Sequence, residues 1–166
     1  MISCNRFASI LAAVALAPAI LGAQRADTSL ALTGSDGKVK YLTITELRQL
    51  PQVELKLQEA AGSVLVVRGP SVRALLTAAG APVGQMLRGP SLLIGVVAEG
   101  TDGYKVVFSL AELDEQFGAR PAIVALTQNG RPLSAMDGPL RMIMGAEDHR
   151  ARWVRHLSGL RLVSIQ

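Results

Sequence analysis

Short stretches of alternating apolar and polar residues, separated by turn residues, recur along much of this chain. Residues 38–42 and 53–58 alternate in this way, and Asn129-Gly130 is a dipeptide typical of a tight hairpin turn. Helical patterns are few and short, and they do not alternate regularly with the strands. The sequence therefore predicts an α+β fold, a single mixed-sheet domain with many short strands and few short helices.

Helix starts are indicated by two capping boxes, Thr43 with Glu46 and Ser109 with Glu112. In a capping box, the two side chains satisfy free backbone N–H groups at the start of a helix. A further helix is predicted from Ser71 to Gly80. The strands are expected to turn alternate apolar side chains inward. The predicted inward residues are Val64, Val66, Leu92, Ile94, Val96, Val106 and Phe108.

An apolar run from Phe7 to Leu21 near the start of the chain leads into the small residues Gly22 and Ala23. This pattern is typical of a secretory signal peptide. We predict cleavage after Ala23, with a signal peptide at 1–23 and the domain at 24–166. An uncleaved anchor is the alternative, but the run is shorter than the roughly 20 apolar residues of a membrane span and is interrupted by a proline.

Cleavage would also remove Cys4, the only cysteine of the chain. The mature domain would then have no thiolate for a disulfide or a soft metal. It is predicted to be periplasmic or secreted, with no stable membrane anchor once the signal is removed. Arg6 stands alone, without the twin-arginine pattern, so a Sec-type route is predicted.

Basic residues exceed acidic ones only modestly, 17 Lys and Arg against 13 Asp and Glu, but arginines crowd the C-terminal part of the chain. Such a local excess can attract an anion. Nucleic acid is not the predicted partner, because aromatic residues are scarce and no recognition motif accompanies the arginines. His149 and His156 fit no standard metal-ligand spacing, and no Gly-x-Ser-x-Gly elbow indicates a hydrolase.

The order of several segments between residues 40 and 165 carries further information. These segments are Leu50-Pro51-Gln52-Val53, Gly69-Pro70-Ser71-Val72-Arg73-Ala74-Leu75-Leu76, Glu99-Gly100-Thr101-Asp102-Gly103-Tyr104, Asp137-Gly138-Pro139-Leu140-Arg141 and Arg150-Ala151-Arg152-Trp153-Val154-Arg155. Together they resemble the oxidoreductase molybdopterin-binding domain family, which implies the sulfite-oxidase type of fold.

The resemblance also implies where a metal ligand would stand. In catalytic members of the family, a cysteine thiolate binds molybdenum just after the strand that corresponds to residues 53–58. This chain has Glu59-Ala60-Ala61-Gly62 at that place. A carboxylate does not replace the donor character of a thiolate, so molybdenum bound through cysteine is not expected, and catalytic residues are not assigned.

The basic part of the family's cofactor pocket has counterparts in this chain. The resemblance implies Arg141, Arg150, Arg152 and Trp153 as cofactor-binding residues, with molybdopterin as the cofactor. A guanidinium can bind a phosphate in a bidentate way, and Trp153 could cover a flat ring. The alternative is that Arg141 pairs with Asp137, that Trp153 belongs to the core, and that Arg150 and Arg152 are solvated.

Two functions stay open on the sequence alone. One is an exported oxidoreductase-like domain that binds a pterin or another phosphorylated ligand through the basic pocket. The other is a non-catalytic periplasmic binding or interaction module that uses the same fold to hold an anionic small molecule or a protein partner.

Overall fold

The computed structural model describes residues 29–59, 62–117, 120–145 and 150–165. The predicted signal peptide at 1–23 lies outside the described residues, as does His149. Within the described ranges, no helix has the length and apolar character needed to cross a membrane.

Strands dominate the described residues, and the two α-helices are short, which confirms the predicted α+β class. The strands are β1 (Ser29–Thr33), β2 (Val39–Thr43), β3 (Gln52–Gln58), β4 (Val64–Pro70), β5 (Ile94–Gly100), β6 (Lys105–Ser109), β7 (Ala122–Ala125), β8 (Thr127–Gln128), β9 (Arg131–Pro132), β10 (Arg141–Met144) and β11 (Leu157–Ser164). The α-helices are α1 (Ile44–Gln49) and α2 (Val72–Ala78).

These strands form three sheets. A five-stranded sheet has the order β2-β1-β11-β5-β6, a four-stranded sheet has the order β3-β4-β8-β9, and β7 pairs with β10. The five-stranded sheet is mixed, because β1 and β11 are parallel while its other neighbours are antiparallel. The Asn129-Gly130 turn joins β8 to β9 with positive φ at both residues, as predicted for a tight hairpin turn.

The first capping box is confirmed. The Thr43 backbone N–H donates to Glu46 Oε2 (2.7 Å), and the Glu46 N–H donates to Thr43 Oγ1 (3.2 Å) at the start of α1. The second box forms the same pair of bonds between Ser109 and Glu112, but the predicted helix is wrong. Two 3₁₀ turns, Ala111–Leu113 and Glu115–Phe117, stand there instead.

The inward face of β4 differs from the prediction by one residue. Leu65 and Val67 are buried, whereas Val64 is 44% exposed. Cross-strand partners share a face, and β3 places Leu57 opposite Leu65 and Leu55 opposite Val67. The register with β3 therefore decides which half of the continuous apolar run 64–67 faces the core.

The predicted inward position of Leu92 is also wrong. Leu92 is 43% exposed and belongs to a 3₁₀ turn, Gly89–Leu93, with a proline in its first turn. Val96 and Phe108, predicted to point inward, are almost completely buried.

Gly69 marks the place where β4 passes closest to β7. A Cβ atom at this position would lie 1.9 Å from the Val124 carbonyl oxygen. Only glycine allows this approach, because any other side chain would overlap the backbone of β7. Since β7 pairs with β10, this contact helps to set the position of Arg141 at the start of β10.

Asp114 is the buried carboxylate that ties the 3₁₀ turns to the segment after α2. Its Oδ2 accepts hydrogen bonds from the Gly84 N–H (2.8 Å) and from Arg73 Nε (3.3 Å), and its Oδ1 accepts one from the Gln116 N–H (3.0 Å). Burial by itself would raise the pKa of Asp114, but the hydrogen bonds from Gly84, Gln116 and Arg73 outweigh it and hold the pKa below its ordinary value.

Replacement of Asp114 by asparagine is expected to lower the free energy of unfolding by about 2 kcal/mol near neutral pH, because an amide NH₂ would face a hydrogen-bond donor. The ionised carboxylate stabilises the fold fully above its unfolded pKa, and this contribution is lost as the pH falls through the lower folded pKa. Urea unfolding at several pH values should therefore show the two proteins converging below about pH 4.

The exposed substitution Glu54→Gln provides the control, with an expected change within about 0.5 kcal/mol. A difference between the wild type and Asp114→Asn that persists unchanged in acid would contradict the role given to the ionised carboxylate.

Candidate anion-binding site

The Ser134–Asp137 turn positions the first charged pair of the site. The Asp137 N–H donates to the Ser134 carbonyl oxygen (3.1 Å), and the Ser134 hydroxyl donates to Asp137 Oδ2 (3.0 Å). Gly138 follows with φ of 81°, a conformation that favours glycine, and redirects the chain toward β10. Asp137 is thereby fixed beside Arg141, the first residue of β10.

Arg141 is the buried cation of the site. Its side chain is only 9% exposed, and its Nη1 donates to Asp137 Oδ1 at 2.7 Å. Its Nε is buried and has no hydrogen-bond partner within the described residues. Buried donors are rarely left without an acceptor in folded proteins, so an ordered water molecule or an anionic ligand is the expected partner of this nitrogen.

Arg155 approaches the same carboxylate from the segment that precedes β11. Its Nε lies 3.4 Å from Asp137 Oδ1, and the backbone N–H of the next residue, His156, donates to the Asp137 carbonyl oxygen (3.0 Å). One carboxylate therefore brings two guanidinium groups together, although their separation along the sequence is large.

Trp153 is buried below the arginines. It is 5% exposed, and its indole Nε1 donates to the Met144 carbonyl oxygen (3.2 Å). The Arg141 and Arg150 guanidinium carbons lie 5.0 and 4.8 Å from the centroid of its ring, within range of a cation–π contact. Trp153 therefore lies in the core, which was one of the two alternatives that the sequence left open. Its ring contacts two arginines of the chain itself.

These residues surround a cavity of about 330 Å³, here called the arginine cavity. It is lined by Asp102, Tyr104, Arg141, Arg150, Ala151, Trp153 and Arg155. Three guanidinium groups therefore face one lining carboxylate, Asp102, whose Oδ1 already accepts the Tyr104 N–H at 3.0 Å. Such a cluster is favourable for an oxyanion.

The pKa of Arg141 also indicates that its positive charge is costly in this environment. Its burial lowers the pKa of the guanidinium, Asp137 opposes that effect, and the neighbouring Arg155 and Arg150 lower the pKa further. An arginine stays protonated under ordinary conditions. Asp137 and Glu59 already pair with these arginines, so a bound anion would relieve the part of this cost that the two carboxylates leave.

Arg152 is not brought to the arginine cavity. Its Nη2 lies 2.6 Å from Glu112 Oε1, and its guanidinium carbon lies 4.5 Å from the centroid of the Phe108 ring. Arg155, which the sequence did not single out, takes its place. Arg152 is the last residue of a 3₁₀ turn, Arg150–Arg152, whereas Arg155 follows the isolated bridge between Val154 and Met142. The chain changes conformation between the two arginines, and their side chains reach different carboxylates, Glu112 and Asp137.

Glu59 stands where the resemblance implied a cysteine, and it lies beside the site. Its Oε1 is 3.3 Å from Arg150 Nη1. No set of three or more His, Cys, Asp or Glu side chains suited to a metal ion occurs in the described part of the chain. The donor set therefore fits the phosphate of a pterin, with Arg141, Arg150 and Arg155 as ligands, but it does not fit molybdenum held by a protein thiolate.

The fold is similar to a solved structure, that of the sulfane dehydrogenase SoxCD from Paracoccus pantotrophus. The TM-score is 0.61 at 19% sequence identity, and the match covers 82% of this chain and 38% of that chain. No protein-family model and no curated protein sequence gives a significant match. The likeness supports the fold that the sequence resemblance implied, and at this identity it concerns the fold alone.

Proposed function

We propose that this chain is an exported, molybdopterin-binding oxidoreductase-like domain that binds a pterin phosphate or another compact oxyanion in the arginine cavity, without thiolate-bound molybdenum. The buried Nε of Arg141, for which the described part of the chain supplies no hydrogen-bond acceptor, is the observation that carries this proposal. An oxyanion in the cavity would accept from this nitrogen and would balance the charge of Arg150 and Arg155. Export rests on the predicted signal peptide, which would put the domain in the periplasm or outside the cell.

The burial of Trp153 limits the kinds of ligand that the arginine cavity can recognise. Its ring is nearly inaccessible and has two guanidinium groups close to it, so it has little surface left on which a flat ligand ring could stack. The tryptophan supports the arginines instead. Recognition would therefore centre on the oxyanion group, and any attached ring would extend toward Asp102 and Tyr104 or toward solvent.

Phosphate is expected to stabilise the wild-type domain against heat more than chloride does at the same ionic strength, since a ligand of the folded state stabilises it by mass action. Arg155→Gln should weaken phosphate binding by roughly three- to tenfold, because it removes a largely exposed cation from the cavity. Thermal-shift titrations with phosphate would give the apparent affinities.

Arg152→Gln is the matched control, because it also removes an arginine from the same segment but leaves the lining of the cavity unchanged. Its phosphate affinity should equal that of the wild type. Equal losses in both variants would indicate a diffuse charge effect and would overturn the site. Stoichiometric molybdenum in protein isolated from its native source would overturn the claim about the metal.

A further inference from the structure

A second cavity, of about 470 Å³, lies between α1 and the turn that leads to Asp137. Most of its lining is apolar and comes from Ile44, Leu126, Pro132, Leu133, Ala135 and Pro139. We call it the apolar cavity. Ligand sites of comparable size are typically apolar, with a few polar groups that orient the ligand.

The polar side chains that line this cavity are those of Arg48, Ser134 and His156. Ser134 uses its hydroxyl to bind Asp137 Oδ2, so it is already engaged. Arg48 lines the cavity and also lines an adjoining one of about 400 Å³, which contains Arg68 and Glu54. The polar end of the combined space is therefore where the two cavities meet.

Charge at that junction is positive. Across the ranges that the structure describes, neither Arg48 nor Arg68 has a carboxylate at ion-pair distance, while Glu54 lies 4.0 Å from Lys56. A ligand with one carboxylate and an apolar body would complement this arrangement. Its charge would meet Arg48 and face Arg68, and its body would replace water along Ile44 and Leu133.

We propose that the apolar cavity binds a medium-chain aliphatic carboxylate, with the chain among Ile44, Pro132 and Leu133 and the carboxylate at Arg48. None of these residues lines the arginine cavity, so this proposal is independent of the oxyanion site. The chain connects the two cavities at two places. Gly138 and Pro139, next to Asp137, line the apolar cavity, and the consecutive residues Arg155 and His156 line the arginine cavity and the apolar cavity respectively.

Binding of decanoate to the full-length mature protein, measured by titration calorimetry below its micellar concentration, tests this proposal. Decan-1-ol, which has the chain without the carboxylate, and acetate, which has the carboxylate without the long chain, are the two comparison ligands. Decanoate should bind saturably, decan-1-ol about tenfold more weakly, and acetate not measurably, because the chain supplies most of the binding energy.

Variants separate the two ends of the site. Arg48→Gln should weaken decanoate by roughly three- to tenfold and leave decan-1-ol unchanged, since an exposed arginine makes a screened contact. Ala135→Trp, at an exposed lining position, should block both ligands. Arg131→Gln, an exposed arginine on β9 outside both cavities, should behave as the wild type.

Several results would overturn the proposal. These are an absence of saturable decanoate binding, equal binding of decanoate and decan-1-ol, and binding that persists in Ala135→Trp. Phosphate titration of Arg48→Gln distinguishes the two sites, because its oxyanion affinity should not change. In the wild-type protein, saturable decanoate binding without phosphate binding would count against the proposed function only.

Discussion

Replacement of Gly69 by alanine is expected to lower the free energy of unfolding by about 3 kcal/mol. The new Cβ would lie 1.9 Å from the Val124 carbonyl oxygen and 2.7 Å from its carbonyl carbon, and both belong to backbone. Neither strand can move away freely, because β4 is paired with β3 and β7 with β10. Equilibrium unfolding in urea, followed by circular dichroism, measures the change.

Gly159→Ala is the matched control, since it also adds a methyl group to a glycine within a strand. The nearest atom to its Cβ would be the Ala31 carbonyl oxygen at 3.6 Å, an ordinary contact. Its stability should stay within about 1 kcal/mol of the wild type. If Gly69→Ala proved as mild as this control, the close packing of β4 on β7 would be contradicted.

The contrast between β3 and β4 shows which parts of this fold a sequence can specify. In β3, polar residues separate Val53, Leu55 and Leu57, so the alternation itself predicts a strand with one buried face. The run 64–67 is apolar throughout and carries no such period. Its buried face depends on the pairing with β3, which is a long-range property.

The second capping box shows a different limit. The local bonds between Ser109 and Glu112 form as predicted, but they do not extend into an α-helix. Asp114 accepts the N–H of Gln116 with its side chain and reaches Gly84 across the fold. The bond to Gln116 is local, and the bond to Gly84 is a tertiary contact that no local sequence pattern predicts. Together they favour short 3₁₀ turns over a continuous helix.

Of the four residues that the resemblance implied for the cofactor pocket, three lie together in the structure and Arg152 does not. Arg141, Arg150 and Trp153 line one cavity, and the pairing of Arg141 with Asp137 is the alternative that the sequence left open. The choice between Arg152 and Arg155 was not predictable, because it depends on the direction that each side chain takes from an irregular segment. The 3₁₀ turn Arg150–Arg152, the bridge of Val154 to Met142, and the ion pairs of Arg152 with Glu112 and of Arg155 with Asp137 show that direction only in the folded chain.

Replacement of Arg141 by methionine is expected to weaken phosphate binding at least about thirtyfold, the effect of losing a buried, charge-assisted contact. Methionine retains a long side chain beside Trp153 but supplies no donor. The fold should lose only about 1–2 kcal/mol, because Asp137 keeps Arg155 and the Ser134 hydroxyl as partners. Phosphate titrations by thermal shift and by calorimetry measure the affinity, and urea unfolding measures the stability.

Asp137→Asn separates a loss of binding from general damage, because its two expected effects have opposite signs. Removing the carboxylate leaves Arg141 buried without its counter-ion, so stability should fall by about 2–3 kcal/mol. The same change removes a negative charge that competes with the ligand for Arg141 Nη1, so phosphate affinity should rise by roughly three- to tenfold. Damage to the fold alone would lower both quantities together. Parallel losses in Asp137→Asn, or unchanged phosphate affinity in Arg141→Met, would exclude Arg141 as the centre of an oxyanion site.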